Sequence, residues 1–246
     1  MKDYNSYIFN IREKGRYLLQ GCCGAVFIGY LFYRSIPGIL LLLPLVCFYL
    51  KKTQKRLREE RKWKLNLEFR DGILALAAAL EAGYSSENAL EEAGKDLTLI
   101  YPGDAMIIQE FKYMTNQIRT NTTVEKALED FAARSGVEDI QSFAEVFGTA
   151  KRTGGDLLHI IKLTGDIISD KIEVKREIIT LITAKRLEAN IMKGIPLLIL
   201  IYLSVGSPGF LDPLYHNVLG IILMTGVLAG YLGAYLVIDK ITAIEV

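Results

Sequence analysis

The chain has 246 residues, 51% of them apolar, and a formal net charge of +1, a total that decides little by itself because soluble domains are nearly as apolar. The charge hides a division: Lys51–Lys64 carries eight Lys/Arg against two Glu, whereas Leu65–Asn190 carries 14 basic and 21 acidic side chains. The basic collar suits anionic lipid headgroups, the acidic stretch argues against a nucleic-acid partner, and three cysteines inside apolar runs (Cys22, Cys23, Cys47) are no disulfide framework.

Met1–Arg16 is short, polar and basic, through Lys2, Arg12, Lys14 and Arg16. Tyr17–Tyr33 follows without a charge, at the low end of the roughly 17–25 residues that span a bilayer as a helix. A basic start and an apolar run also describe a signal peptide, but no small-residue cleavage site follows and a second apolar run begins almost at once. That run is Ile36–Leu50, reached through a turn at Arg34 to Gly38 in which Pro37 and Gly38 are read as breakers. At 15 residues it spans only with snorkelling by Lys51 and Lys52 or a thinner bilayer; a re-entrant hairpin is the alternative.

From Leu65 the pattern is helical and amphipathic. Leu65, Phe69, Ile73, Leu76 and Leu80 share one helical face. Gly83 ends this helix, and Ser85 caps a second that runs to Gly94. Ile107, Phe111, Met114 and Ile118 mark a third helix after Pro102-Gly103. Thr122 and Glu125 have capping-box spacing for a fourth, which Gly136 stops, and Ile140, Phe143 and Phe147 mark a fifth, which Gly154-Gly155 breaks. The stretch Gly83–Leu90 echoes Asn121–Leu128, so two similar helical hairpins are one reading and two unrelated capped helices the other. Leu157, Ile161, Ile168, Ile172, Ile179 and Ile182 hold the stripe of a last, long helix. If it continues to Val205 it passes Gly194 and Pro196 and reaches about 75 Å at 1.5 Å per residue.

Ile191–Val205 is a third apolar run, with Lys193 near its start, and Val218–Ile238 is a fourth. The loop Gly206–Asn217 between them holds Pro208, Asp212 and Pro213 but no Lys or Arg. The positive-inside rule therefore puts both ends and the collar in the cytosol and this loop outside, with Arg34 one basic residue against the rule. The expected fold class is all-α, a membrane protein with four transmembrane helices and a cytosolic helical bundle. It divides into residues 1–50 (tail and first hairpin), 51–190 (cytosolic domain with its collar) and 191–246 (second hairpin).

Chemistry-bearing motifs are scarce. Gly148–Gly155 lacks the Gly-Lys-Ser/Thr of a phosphate loop, and Gly154-Gly155 reads as a helix stop. His159 and His216 are separated between the polar block and the outer loop and have no cysteine at ligand spacing. The pairs Glu91-Glu92, Glu129-Asp130 and Glu138-Asp139 diverge by 100° on a helix and read as solvated faces. Neither catalysis nor a cofactor is expected. Gly226-x-x-x-Gly230, with Gly233 beyond, has the spacing that lets membrane helices approach closely. Two partner-binding points stand out. Tyr84 and Ser85 sit in a turn between rigid helices, and Lys151-Arg152 is a basic point on an acidic domain.

Leu80-Glu81-Ala82-Gly83-Tyr84-Ser85 with Ala89-Leu90, Phe143 through Gly154-Gly155-Asp156-Leu157, and the long helix into Gly194-Ile195-Pro196 together resemble the F family of type II secretion and type IV pilus platform proteins. The likeness covers about Leu65–Lys240. One soluble block rather than two tandem copies resembles the single-copy branch of tight-adherence pilus systems. The resemblance implies a non-enzymatic platform in the bacterial cytoplasmic membrane. Its implied partners are a cytosolic secretion ATPase, prepilin or pilin subunits, and a second F-family subunit or another copy of itself. A membrane-anchored signalling or lipid-binding adaptor fits the collar and the acidic domain equally well; a small-molecule transporter does not, because the spans hold almost no polar residues.

Overall fold

The computed structural model of the chain describes residues 3–207, 209–215 and 217–242. Lys2, Pro208 and His216, noted above, lie outside the described residues. Among those described are nine helices and no strand. They are α1 (Ile11–Tyr33), α2 (Ile36–Glu81), α3 (Ser86–Ile100), α4 (Met106–Arg119), α5 (Val124–Ser135), α6 (Glu138–Thr153), α7 (Leu157–Gly206), α8 (Asp212–Tyr215) and α9 (Val218–Thr242). They form two compact units: residues 1–8 with 54–174, and residues 9–53 with 175–246. Helices α2 and α7, of 46 and 50 residues, each contribute to both.

Several boundaries differ from expectation for local reasons. Pro37 and Gly38 lie inside the first turn of α2. Proline costs nothing there, because the first four N–H groups of a helix have no intrahelical acceptor. Gly38 packs under Tyr33, where a Cβ would lie 2.4 Å from the tyrosine Cβ. Helix α3 does not stop at Gly94 but continues to Ile100. The cap of α5 is Thr123, one residue past Thr122: its hydroxyl accepts from Lys126 N at 3.4 Å. Gly136 and Gly154 end α5 and α6 in the left-handed region, at φ 58° and 70°, a conformation glycine adopts without strain.

The helical unit buries one continuous core. Leu65, Phe69, Ile73 and Leu76 of α2 meet Leu90 and Leu97 of α3, Ile107, Phe111 and Met114 of α4, and Leu128 and Phe131 of α5. Phe143 and Phe147 of α6, and Ile161, Ile168 and Ile172 of α7, complete it. Phe69 is its centre, edge-on to Phe131 (centroids 5.9 Å apart) and to Phe143 (5.5 Å). Burial of each such ring stabilises by about 1.5–3 kcal/mol. Gly72 lets α4 close in: a Cβ there would stand 2.9 Å from the Phe111 ring. On α7 the stripe is buried as far as Ile172, whereas Ile179 is exposed.

The polar opening of the chain also belongs to this core, which its sequence did not suggest. Tyr4 is 1% exposed, and its hydroxyl donates to Glu110 Oε1 at 2.8 Å.

The second unit holds the apolar helices. Among the described residues three helices are long and apolar enough to cross a membrane: α2, α7 and α9. Helix α1 is not one of them, because Gln20, three glycines and three tyrosines dilute Tyr17–Tyr33. At one end of this unit Arg34 donates to Asp212 Oδ1 (3.3 Å) and Ser204 Oγ (3.0 Å) and stacks over Tyr215, 5.4 Å from the ring centroid. The Tyr215 hydroxyl donates to Leu31 O at 2.8 Å. At the other end Lys52 of α2 and Lys193 of α7 both reach Asp239 of α9. The Tyr231 hydroxyl donates to Lys193 O at 2.9 Å.

Candidate partner-binding surface

The turn α2–α3 and the turn α4–α5 are built alike, residue for residue. Each opens with a left-handed residue, Gly83 (φ 90°) and Asn121 (φ 66°). Each then places a hydroxyl as N-cap: Ser85 accepts from Asn88 N at 3.4 Å, as Thr123 accepts from Lys126 N. A glutamate follows in the first turn, Glu87 or Glu125, where a negative charge faces the positive helix end. Fully buried Ala89-Leu90 and Ala127-Leu128 then seat the two helices on the core. Helix α3 packs on α4 and α5 on α6, so the echo in the sequence corresponds to a repeated helical hairpin.

The two glutamates converge on one cation. Lys151 Nζ of α6 lies 3.3 Å from Glu87 Oε1 and 3.2 Å from Glu125 Oε1. Glu87 is held below the usual carboxylate range by its own backbone N–H, with Ser86 and Lys151 adding to it against burial. Burial pushes Glu125 up, but its own backbone N–H, Lys151 and Thr123 outweigh that, and its net direction is down. Lys162 Nζ of α7 reaches Glu81 Oε2 at 2.8 Å and ties the end of α2 to the start of α7.

The two expected partner-binding points therefore lie on one surface, joined by the Glu87–Lys151 pair. Their residues have different work. Tyr84 is 46% exposed and its ring is offered to solvent. The Ser85 hydroxyl is occupied as a cap. Lys151 is half-buried between the glutamates and holds the two turns together. Arg152 is exposed and donates to Gly148 O of its own helix at 3.2 Å. Tyr84 and Arg152 are thus the side chains presented outward, with Ser85 and Lys151 beneath them. Glu87 and Glu125 were missed as members of this surface, although their matching places in the echo of Gly83–Leu90 and Asn121–Leu128 were a readable signal.

The remaining candidates lie elsewhere. Gly226, Gly230 and Gly233 border open space, since a Cβ at any of them would meet nothing within 4 Å. Helix α9 instead buries Met224 and Leu228 in the second unit. His159 is exposed on α7, and its backbone N–H is taken by the Asp156 carboxylate at 3.0 Å. Among the described residues no group of three or more His, Cys, Asp or Glu is placed to hold a metal ion.

A family model described as type II secretion system, protein F, matches residues 73–205. The match begins in the core stripe of α2, takes in both echoing hairpins and ends near the end of α7. Comparison with curated proteins finds no match, and neither does comparison with solved structures. Because the matched region covers more than half of the chain and includes the whole surface described above, the chain belongs to the family of type II secretion system protein F.

Proposed function

We propose that the chain is a platform subunit in a bacterial cytoplasmic membrane. It would couple a cytosolic secretion ATPase to pilin subunits in a tight-adherence or type IV pilus, or to a type II-like secretion machine. The observation that carries this reading is the family match over α2–α7 together with three helices apolar enough to cross a membrane. On this reading the chain is not itself an enzyme. The collar at Lys51–Lys64 lies against anionic lipid on the cytosolic side. The open glycine stripe of α9 suits close approach by a second F-family subunit or another copy of the chain.

The ATPase would dock on the surface around Tyr84 and Arg152. A large exposed aromatic beside a guanidinium, carried on capped and cross-braced helix ends, has the composition of an interface anchor. Tyr84→Ala and Arg152→Glu are each expected to reduce co-purification of the cognate ATPase by about tenfold, the effect of losing roughly 1.4 kcal/mol. Helical circular dichroism should stay unchanged, because neither side chain supports the core. Undiminished co-purification in both variants would remove this surface from the reading.

A further inference from the structure

Residues Asp3–Ile8 precede α1, form no helix and lie along the helical unit, where they complete the end of another helix. The last carbonyls of any α-helix lack intrahelical partners. In α5 that of Ala132 is taken by Gly136 N–H and the Ser135 hydroxyl. Ala133 O accepts from Asn5 Nδ2 at 3.3 Å and Arg134 O from Tyr4 N–H at 3.0 Å. Lys62 Nζ spans Gly136 O (3.0 Å) and Asn5 Oδ1 (2.8 Å). The fit at Gly136 is close, since a Cβ there would lie 1.7 Å from Asn5 Oδ1.

Only one side chain of the segment is buried. The Tyr4 ring enters between α2 and α4, with the Arg61 guanidinium 4.7 Å from its centroid. Asp3, Asn5, Ser6 and Ile8 are exposed. Burial first, and then Glu110, push the Tyr4 phenol above its ordinary range, so it stays a donor at neutral pH. Glu110 does not depend on it. Arg134 Nη1 and Nη2 donate to the two Glu110 oxygens at 3.1 and 2.7 Å, and Asp130 holds Arg134 Nε at 2.9 Å. Withdrawal of Tyr4 therefore leaves no unpaired charge in the core.

We propose that the C-terminal end of α5, with Arg61, Lys62 and Glu110, is a groove for an extended peptide presenting a tyrosine followed by an asparagine. Its occupant here is the chain's own Asp3–Ile8, a strap that opens and closes without unfolding the bundle. Ordering the strap costs backbone entropy at every residue, while one buried ring with its bond to Glu110 and hydrogen bonds at the surface, from Gln54 to Tyr7 O and from Arg58 to Asn5 O among them, repay it. Closure is thus favoured over release by a small margin, on the order of tenfold in population. The groove persists on release, because its buried charge, Glu110, stays paired with Arg134.

The test is amide hydrogen exchange on the full chain in lipid nanodiscs. Residues 3–8 should exchange at least about tenfold more slowly than the same sequence as a free peptide, yet at least about a hundredfold faster than the middle of α5. Tyr4→Ala should bring the strap to the free-peptide rate with α5 unchanged, and Tyr4→Phe should fall between. Exchange of the strap in step with α5, at the free-peptide rate in the unmodified chain, or a loosening of α5 by Tyr4→Ala would each overturn the proposal. A fluorescent capped peptide of the sequence Asp3–Ile8 should bind the Tyr4→Ala chain about tenfold more tightly than the unmodified chain, whose groove is already filled. Equal binding to the two chains, or binding to neither, would refute a peptide groove.

Discussion

Glu110 is 1% exposed in an apolar core, and the residues around it explain why it is tolerated there. Arg134 meets both of its oxygens with a planar fork, and its Nε–H is taken by Asp130. Burial alone would lower the Arg134 pKa, but Glu110 and Asp130 outweigh it and raise it further. A buried pair of this kind adds little over an apolar pair of the same shape, yet loss of one partner strands the other at a cost of about 3–5 kcal/mol. Arg134→Ala is therefore expected to lower stability by about that amount in chemical denaturation of the detergent-solubilised chain. Arg134→Lys should cost less but more than nothing, since a lysine cannot reproduce the fork. A double replacement, Glu110→Leu with Arg134→Met, should recover most of the loss. A double variant as unstable as Arg134→Ala would show that the pair is required for more than its own charge balance.

At the scale of elements, the two echoing turns and Lys151 form a brace across the starts of α3 and α5. Thr123→Ala removes one cap and should cost about 1 kcal/mol. The brace itself depends on acid. Both folded carboxyls lie below the ordinary value of 4.5, so their contribution is complete above about that pH and fades as the pH falls through the lowered folded values. Glu87 is half exposed, so each pair is worth only about 0.2–1 kcal/mol after solvent screening. Lys151→Met should make the acid limb of a plot of unfolding midpoint against pH somewhat shallower below about 4.5, the glutamates' own backbone N–H groups keeping the rest of the effect, while leaving the limb near neutrality shifted by a constant. An acid limb identical to that of the unmodified chain would place the acid sensitivity elsewhere.

These elements also show what the sequence made legible. The stripe Leu65, Phe69, Ile73, Leu76 could be read because helical burial repeats every three or four residues, and all four are buried. The glycine stops at Gly136 and Gly154 could be read because few residues accept positive φ. Thr122 and Thr123 could not be separated, since both carry a capping hydroxyl and the choice is made by how α5 meets the core. Tyr4 left no signal at all: a single aromatic in a polar stretch has no periodicity, and its partners Glu110 and Arg134 are more than a hundred residues away. Lys151 was visible as a basic point, but its role as a brace depends on Glu87 and Glu125, which lie on two other helices.

For the molecule as a whole, the charges at the two ends of the apolar unit bear on which side faces the cytosol. Lys52 and Lys193 gather on Asp239 at one end, continuous in sequence with the basic collar. At the other end Arg34 was the one residue against the positive-inside rule. Its guanidinium is matched by Asp212 and Ser204 and covered by Tyr215. We propose that the turn at Arg34 and the segment around Asp212 share the outer side and that Leu65–Asn190 lies in the cytosol, as the balance of Lys and Arg over the other loops favours. Single cysteines test this in a background where Cys22, Cys23 and Cys47 are serine. Phe210→Cys, at a 66% exposed position, should react with a membrane-impermeant maleimide on intact cells. Asp96→Cys, on the exposed side of α3, should react only after the cells are opened. Labelling of Asp96→Cys from outside would invert the orientation. Protection of Phe210→Cys both before and after opening would mean that its segment is buried in the bilayer rather than displayed beyond it.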